Sequence, residues 1–236
     1  MGERRPAGNP AAESALGPPR RRGDVSRLEG FSDAVFGFAI TLLVVSLSVP
    51  GSFDALLTSL AGIPAFAATF ALLAYIWYAQ YTFFRRYDFE DAWVVVLNLV
   101  LLFVVLVYIY PLKFLYTGVF NPSSATVRPG QTPELFLVYG AGFAAVFIVL
   151  ALLYLHAYRS RMPLGLSGLQ VYEARAAVLL YASIAGIGVL SALIALALPD
   201  QVSIAGFVYF LITVPSVVAG SLVGRRRRRE ARALQA

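Results

Sequence analysis

Few residues in this chain could do chemistry. Arg27, Ser32 and Asp33 open the first long apolar run, RLEGFSDAVFGFAITLLVVSLSVP (27–50). Elsewhere there is one histidine, His156, and no cysteine. A nitrogen- and sulfur-ligated metal site needs several such donors together, so no metal and no cofactor are expected. GLSGL (165–169) has the spacing of a nucleophile elbow but falls in a short loop between apolar runs, without the strand–turn–helix setting that exposes such a serine. Enzymatic function is therefore not expected. Proton-coupled transporters place ionisable groups within membrane helices. Here Glu173 and Arg175 stand at the edge of a run, and Asp33 near the start of another. The carbonyl filter TVGYG is absent, and VYGAG (138–142) sits inside an uninterrupted apolar run, so a pore-loop channel is also excluded.

The elements that position these residues follow from composition. Of 236 residues, 59% are hydrophobic and 14% charged, where a soluble domain carries about 25% charged. A bilayer-spanning helix needs about 20 mostly apolar residues. Six runs qualify: 31–49, 56–84, 92–116, 134–157, 174–198 and 202–223. The expected fold is all-α, a polytopic membrane protein with six transmembrane helices. Placing both termini in the cytoplasm leaves only Lys113 and Arg128, of 19 Lys and Arg, on the outside, as the positive-inside rule requires. The net charge of +6 is then topological and implies no nucleic-acid partner. GRRRRRE (224–230) reads as an anchor that meets anionic lipid head groups.

Three segments result. Residues 1–26, rich in Pro, Gly, Ala and Arg, are expected to be disordered; 27–224 form the membrane domain; 225–236 form a basic cytoplasmic tail. The first run lacks a convincing cleavage site and is expected to be retained. Run 56–84 would rise about 43 Å as one helix, longer than the bilayer core, so a kink at Pro64 is expected. Pro215 predicts another in the last run. Residues 117–133 form the one long loop, and Asn98 is a buried-looking amide in the third run.

On a helical wheel, Phe38, Leu42, Val45 and Val49 fall within about 60° of one another. Phe31, Ala34 and Val35 extend the stripe, and Thr41 stands on its shoulder. Asp33 lies about 140° from Phe38 and so faces a different neighbour. A carboxylate near a helix start is favoured by the macrodipole, and Ser32 offers a second acceptor. Arg27 and Asp33 do not share a face, so each is expected to bond a neighbouring helix. By depth, the partners are Trp77, Gln80 and Tyr81 on the second run and Asn98 on the third.

Arg27, Phe31, Ser32 and Asp33 together form R-x-x-x-F-S-D at the start of a first membrane helix. This resembles the signature of the transmembrane protein 175 family, lysosomal and prokaryotic potassium channels without a pore-loop filter. The likeness continues in AVFGFAITLLV (34–44) and, more weakly, in WYAQYTFFR (77–85) and LNLVLLFVVLVYIYP (97–111). It covers residues 27–116 well and the rest by layout. The resemblance implies six-helix subunits that assemble as homotetramers in the lipid bilayer, with first helices lining a pore for potassium ions. By position it implies a constriction at Phe38, Leu42 and Val45, cation preference at Thr41, and a bundle clamp at Arg27, Ser32 and Asp33. The chain departs from the family pattern at two places: Phe38 stands where isoleucine is common, and Gln80–Tyr81 where His-His is frequent.

The sequence thus implies a potassium-preferring channel in a bacterial-type plasma membrane. The alternatives are a small-solute transporter and a non-conducting scaffold in which the Phe38 stripe packs helix against helix.

Overall fold

The computed structural model of the chain describes residues 26–45, 51–87, 91–120, 128, 130–162, 164–199 and 202–233. The elements in order are α1 (Arg27–Val45), α2 (Phe53–Leu60), α3 (Ile63–Arg86), α4 (Ala92–Phe120), α5 (Thr132–Arg159), α6 (Gly168–Ala197), α7 (Val202–Phe207), a 3-10 stretch (Val208–Ile212) and α8 (Thr213–Ala233). Among the described residues five stretches are long and apolar enough to cross a bilayer: Ile63–Arg86, Ala92–Phe120, Thr132–Arg159, Gly168–Ala197 and Ser203–Glu230. The first apolar run is α1, whose opening turns carry Arg27, Glu29 and Asp33. The protein is an all-α, polytopic membrane protein. The expected disordered tail, 1–26, lies outside the described residues except for Ser26.

Local chemistry explains where the helices start. The Glu29 amide donates to Ser26 Oγ (3.0 Å), and the Ser26 amide donates to Glu29 Oε2 (3.0 Å). This capping box starts α1 four residues before the expected boundary, so Asp33 falls in the second turn and caps nothing. A second box starts α6: Ser167 Oγ accepts from the Gln170 amide, and Gln170 Oε1 from the Ser167 amide. The serine of GLSGL is therefore a helix cap.

The expectation at Pro64 is corrected, and the one at Pro215 takes the form of a local change of helix type. Run 56–84 is not one kinked helix; it breaks after Leu60, and Pro64 lies in the first turn of α3. Proline is tolerated there because its missing N–H would have had no helical acceptor. In the last run the irregularity precedes Pro215. Pro215 cannot donate to the Leu211 carbonyl and its ring crowds it, and the chain tightens to 3-10 geometry over Val208–Ile212. The expected 117–133 loop is also shorter, since α4 continues through Pro111 to Phe120.

The closest packing joins α5 to α6. A Cβ on Gly140 would lie 2.6 Å from the Gly188 carbonyl oxygen and 2.9 Å from the Ala192 Cβ. A Cβ on Gly142 would collide with the Tyr108 ring of α4. These glycines let backbones touch, the device that replaces hydrophobic driving force in lipid. VYGAG is thus a packing surface. Inward from it, Phe143 and Phe147 (centroids 4.6 Å apart) continue to Tyr181, Tyr154 and Phe83. The Tyr154 hydroxyl donates to the Ala79 carbonyl at 3.0 Å, joining α5 to α3.

Polar tethers gather helix ends at one end of the bundle. Asp91 Oδ1 accepts from the Val94 amide (2.8 Å) and caps α4, while Oδ2 meets His156 Nε2 of α5 at 2.6 Å. Glu173 of α6, 5% exposed, binds Arg86 of α3 (3.3 Å) and Arg227 of α8. Part of the arginine run therefore serves an internal carboxylate, and α8 carries it as helix to Ala233.

Gly140→Leu should destabilise the protein by about 1–3 kcal/mol, because backbone cannot yield to the added side chain. Gly186→Ala, where a Cβ meets nothing within 4 Å, should not; melting in detergent compares them. A second expectation concerns pH. Burial raises the Asp91 carboxyl pKa, but the Val94 amide and His156 outweigh it and hold it below the ordinary 3.8. A carboxyl depressed in the fold adds stability above its unfolded value, lost as pH falls through the lower folded value. Melting temperature should therefore drop in acid below about pH 4, and Asp91→Asn should flatten that drop. Superimposable pH curves would dismiss the tether.

Candidate functional site on the first helix

α1 has two unlike halves. Ser32, Phe36, Ala39 and Leu43 are buried against α3 and α4. The opposite half is uncovered. Its bulky edge is Phe31 (52% exposed), Phe38 (70%) and Leu42 (40%). Its other edge is small, Gly30, Ala34, Gly37 and Thr41, at the i, i+4, i+7, i+11 spacing of one helix face. A Cβ on Gly30 or Gly37 would meet nothing within 4 Å, so packing among the described residues does not require either glycine. Thr41 is exposed on the same half, and its hydroxyl donates to the Gly37 carbonyl at 2.9 Å. With its proton spent inside the helix, that oxygen can only accept from its free side. The side chain of Val45 lies outside the described residues.

Near its start α1 is fastened by a line of side-chain hydrogen bonds. Ser32 Oγ donates to the Leu28 carbonyl (2.7 Å) and accepts from Asn98 Nδ2 (2.8 Å). Asn98 Oδ1 accepts from Gln80 Nε2 at 2.6 Å. Ser32, Asn98 and Gln80 are 1%, 0% and 2% exposed. The line crosses α1, α4 and α3 in turn. On the exposed side, Trp77 Nε1 donates to Asp33 Oδ1 at 2.7 Å.

The structure thus brings Ser32, Asp33, Trp77, Gln80 and Asn98 together, in a pairing that wheel angles do not reveal. Asp33 meets the indole, and Gln80 goes to Asn98. Tyr81 stays outside the line; its ring stacks on Trp77 (5.4 Å) and its hydroxyl accepts from Arg85 Nη1 at 2.6 Å. Arg27 is exposed and has no side-chain partner among the described residues. Three contributors escaped the sequence reading: the Ser26–Glu29 cap, the His156–Asp91 pair and the Glu173 clamp. The first carried a readable S-x-x-E signal. The other two join residues at least 54 positions apart and left no local trace.

Asn98→Leu should cost about 1–3 kcal/mol, since the Gln80 amide and Ser32 hydroxyl remain buried without their partner. Trp77→Phe keeps the stack on Tyr81 and loses only the Asp33 bond, so it should cost under about 1 kcal/mol. Melting of both variants in detergent checks the order; equal losses would show that the buried line is no stronger than the exposed bond.

Residues 27–111 match the model of a family described as Endosomal/lysosomal potassium channel TMEM175. The chain is 36% identical over 221 residues to a Marivirga tractuosa protein named "Potassium channel", across 86% of this chain and 90% of that one. Its fold is similar to a crystal structure of the potassium channel MtTMEM175, solved as a variant bound to a Nanobody-MBP fusion, with TM-score 0.74, 33% identity, 88% of this chain and 98% of that chain covered. It is also similar to a lysosomal potassium-selective channel TMEM175 homologue from Chamaesiphon minutus, with TM-score 0.57, 25% identity and coverage of 82% and 96%. Identity above a third, sustained along most of both chains, places this protein in the TMEM175 family.

Proposed function

We propose that this chain is one subunit of a homotetrameric cation channel that passes potassium in modest preference to sodium, in a bacterial-type plasma membrane. Both termini are cytoplasmic and α1 is the sixth crossing. The observation that carries the reading is the uncovered half of α1. Lipid would be a poor neighbour for a face that bears the outward lone pairs of Thr41. Another α1 would be a better one, because Gly30, Ala34 and Gly37 allow close approach. Four such helices round an axis would turn Phe38 and Leu42, with Val45 beyond them, toward a central pore. The relatives are named as potassium channels, which agrees with this reading.

An apolar ring gates by dewetting, because a narrow greasy tube expels water and ions together. Small rotations of the α1 helices would widen it enough for a partly hydrated cation. Potassium sheds its hydration shell more readily than sodium, which favours it without a carbonyl filter. Thr41 supplies an acceptor oxygen beside Leu42, one turn from Phe38. Phe38 adds ring faces that attract cations. The polar line through Ser32, Asn98 and Gln80 holds the inner end of each α1, so rotation is confined to the outer part.

Flux from purified protein in liposomes, under a potassium and then a sodium gradient, tests this. Potassium flux should exceed sodium flux, and Phe38→Ala should raise the leak of both and narrow the difference. Unchanged flux in Phe38→Ala would remove that residue from the constriction. No flux of either ion from folded tetramers would favour the non-conducting scaffold.

A further inference from the structure

On the outside of α6 and α8 lies a groove of about 290 Å³. Glu173 joins Arg227 at the inner end of this helix pair, so the two helices run antiparallel. Tyr172, Arg175 and Leu222 therefore line the inner end of the groove, and Ser183 and Pro215 its deeper end. Leu179, 60% exposed, forms part of the wall between them. The inner end is basic. Arg175 is exposed and has no hydrogen-bond or ion-pair partner among the described residues. The Arg226 guanidinium lies 5.6 Å from the centroid of the Tyr172 ring and is shared with Glu230.

We infer that this groove binds one anionic phospholipid of the leaflet at the basic end of the bundle, its phosphate on Arg175 and one acyl chain along the trough. Two observations commit the groove to that occupant. A free cation at the mouth of an apolar trough complements a molecule with an anionic head and a hydrocarbon tail. From Tyr172 to Ser183 the helix rises about 16 Å, close to half of a hydrocarbon core of about 30 Å, so the trough is one leaflet deep. The inference needs only a membrane-embedded subunit and is independent of conduction, since α1 packs on α3 and α4.

Native mass spectrometry of the full chain in detergent tests this, with phosphatidylglycerol and phosphatidylcholine of matched acyl chains titrated separately. One phosphatidylglycerol per subunit should be retained with about fivefold preference, the scale of one basic residue near an anionic head group. Both lipids offer a phosphate, but the choline ammonium cancels its charge and is repelled by Arg175. Arg175→Gln should erase the preference, and Ala219→Phe, which fills the trough, should weaken both lipids. Arg228→Gln, outside the groove, should change neither. Equal binding of the two lipids, a preference intact in Arg175→Gln, or full binding in Ala219→Phe would overturn the assignment. So would inorganic phosphate that displaces phosphatidylglycerol at equal concentration, since an anion site needs no trough.

Discussion

The hydrogen bond from Asn98 to Ser32 joins α1 to the rest of the chain where water cannot replace a lost partner. A buried amide in such a place must be matched on both sides, and Asn98 is matched by Ser32 and Gln80. The three side chains thereby set the height and rotation of α1 against α3 and α4. That rotation decides which half of α1 is buried and which is left for a neighbour. If Ser32 faced elsewhere, Phe36, Ala39 and Leu43 could not reach the core together, since all four share one face. The uncovered half is a consequence of this inner-end line.

The remaining helices give that line a rigid base. Glycine contacts press α5 against α6 and α4, and an aromatic column fills the space inward of them. At the inner end, charge takes over from packing. Glu173 gathers Arg86 and Arg227 from two other helices, and Asp91 reaches His156. A carboxylate as buried as Glu173 is costly unless paired, so α3, α6 and α8 are held in one arrangement. The bundle is therefore firm at its inner end and along its α5–α6 spine, while half of α1 is unsupported by the other described residues.

Much of this was legible in local chemistry. Long apolar runs required membrane helices, and R-x-x-x-F-S-D pointed to the family that the comparisons establish. Asn98 stood out as an amide without a local partner, and the Phe38 stripe followed from helical period alone. The proline effects were less legible. Pro64 and Pro215 announced irregularity, but whether a proline kinks, starts or follows a break depends on what the preceding turn can give up. At Pro64 Gly62 precedes the helix start; at Pro215 the turn before it tightened.

By itself, the sequence determined which segments must leave water, which end of them is basic and which α1 residues share a face, because hydropathy, charge and helical period are properties of short stretches. It also determined both capping boxes, since each partner lies three residues away. Only the tertiary structure decided that Asp33 meets Trp77 while Gln80 turns to Asn98, that Glu173 gathers two arginines, and that no described residue packs against Gly30 or Gly37. Those pairings depend on the rotation and height of one helix against another. That choice is settled by side chains from distant runs packing at once, and no single run records it.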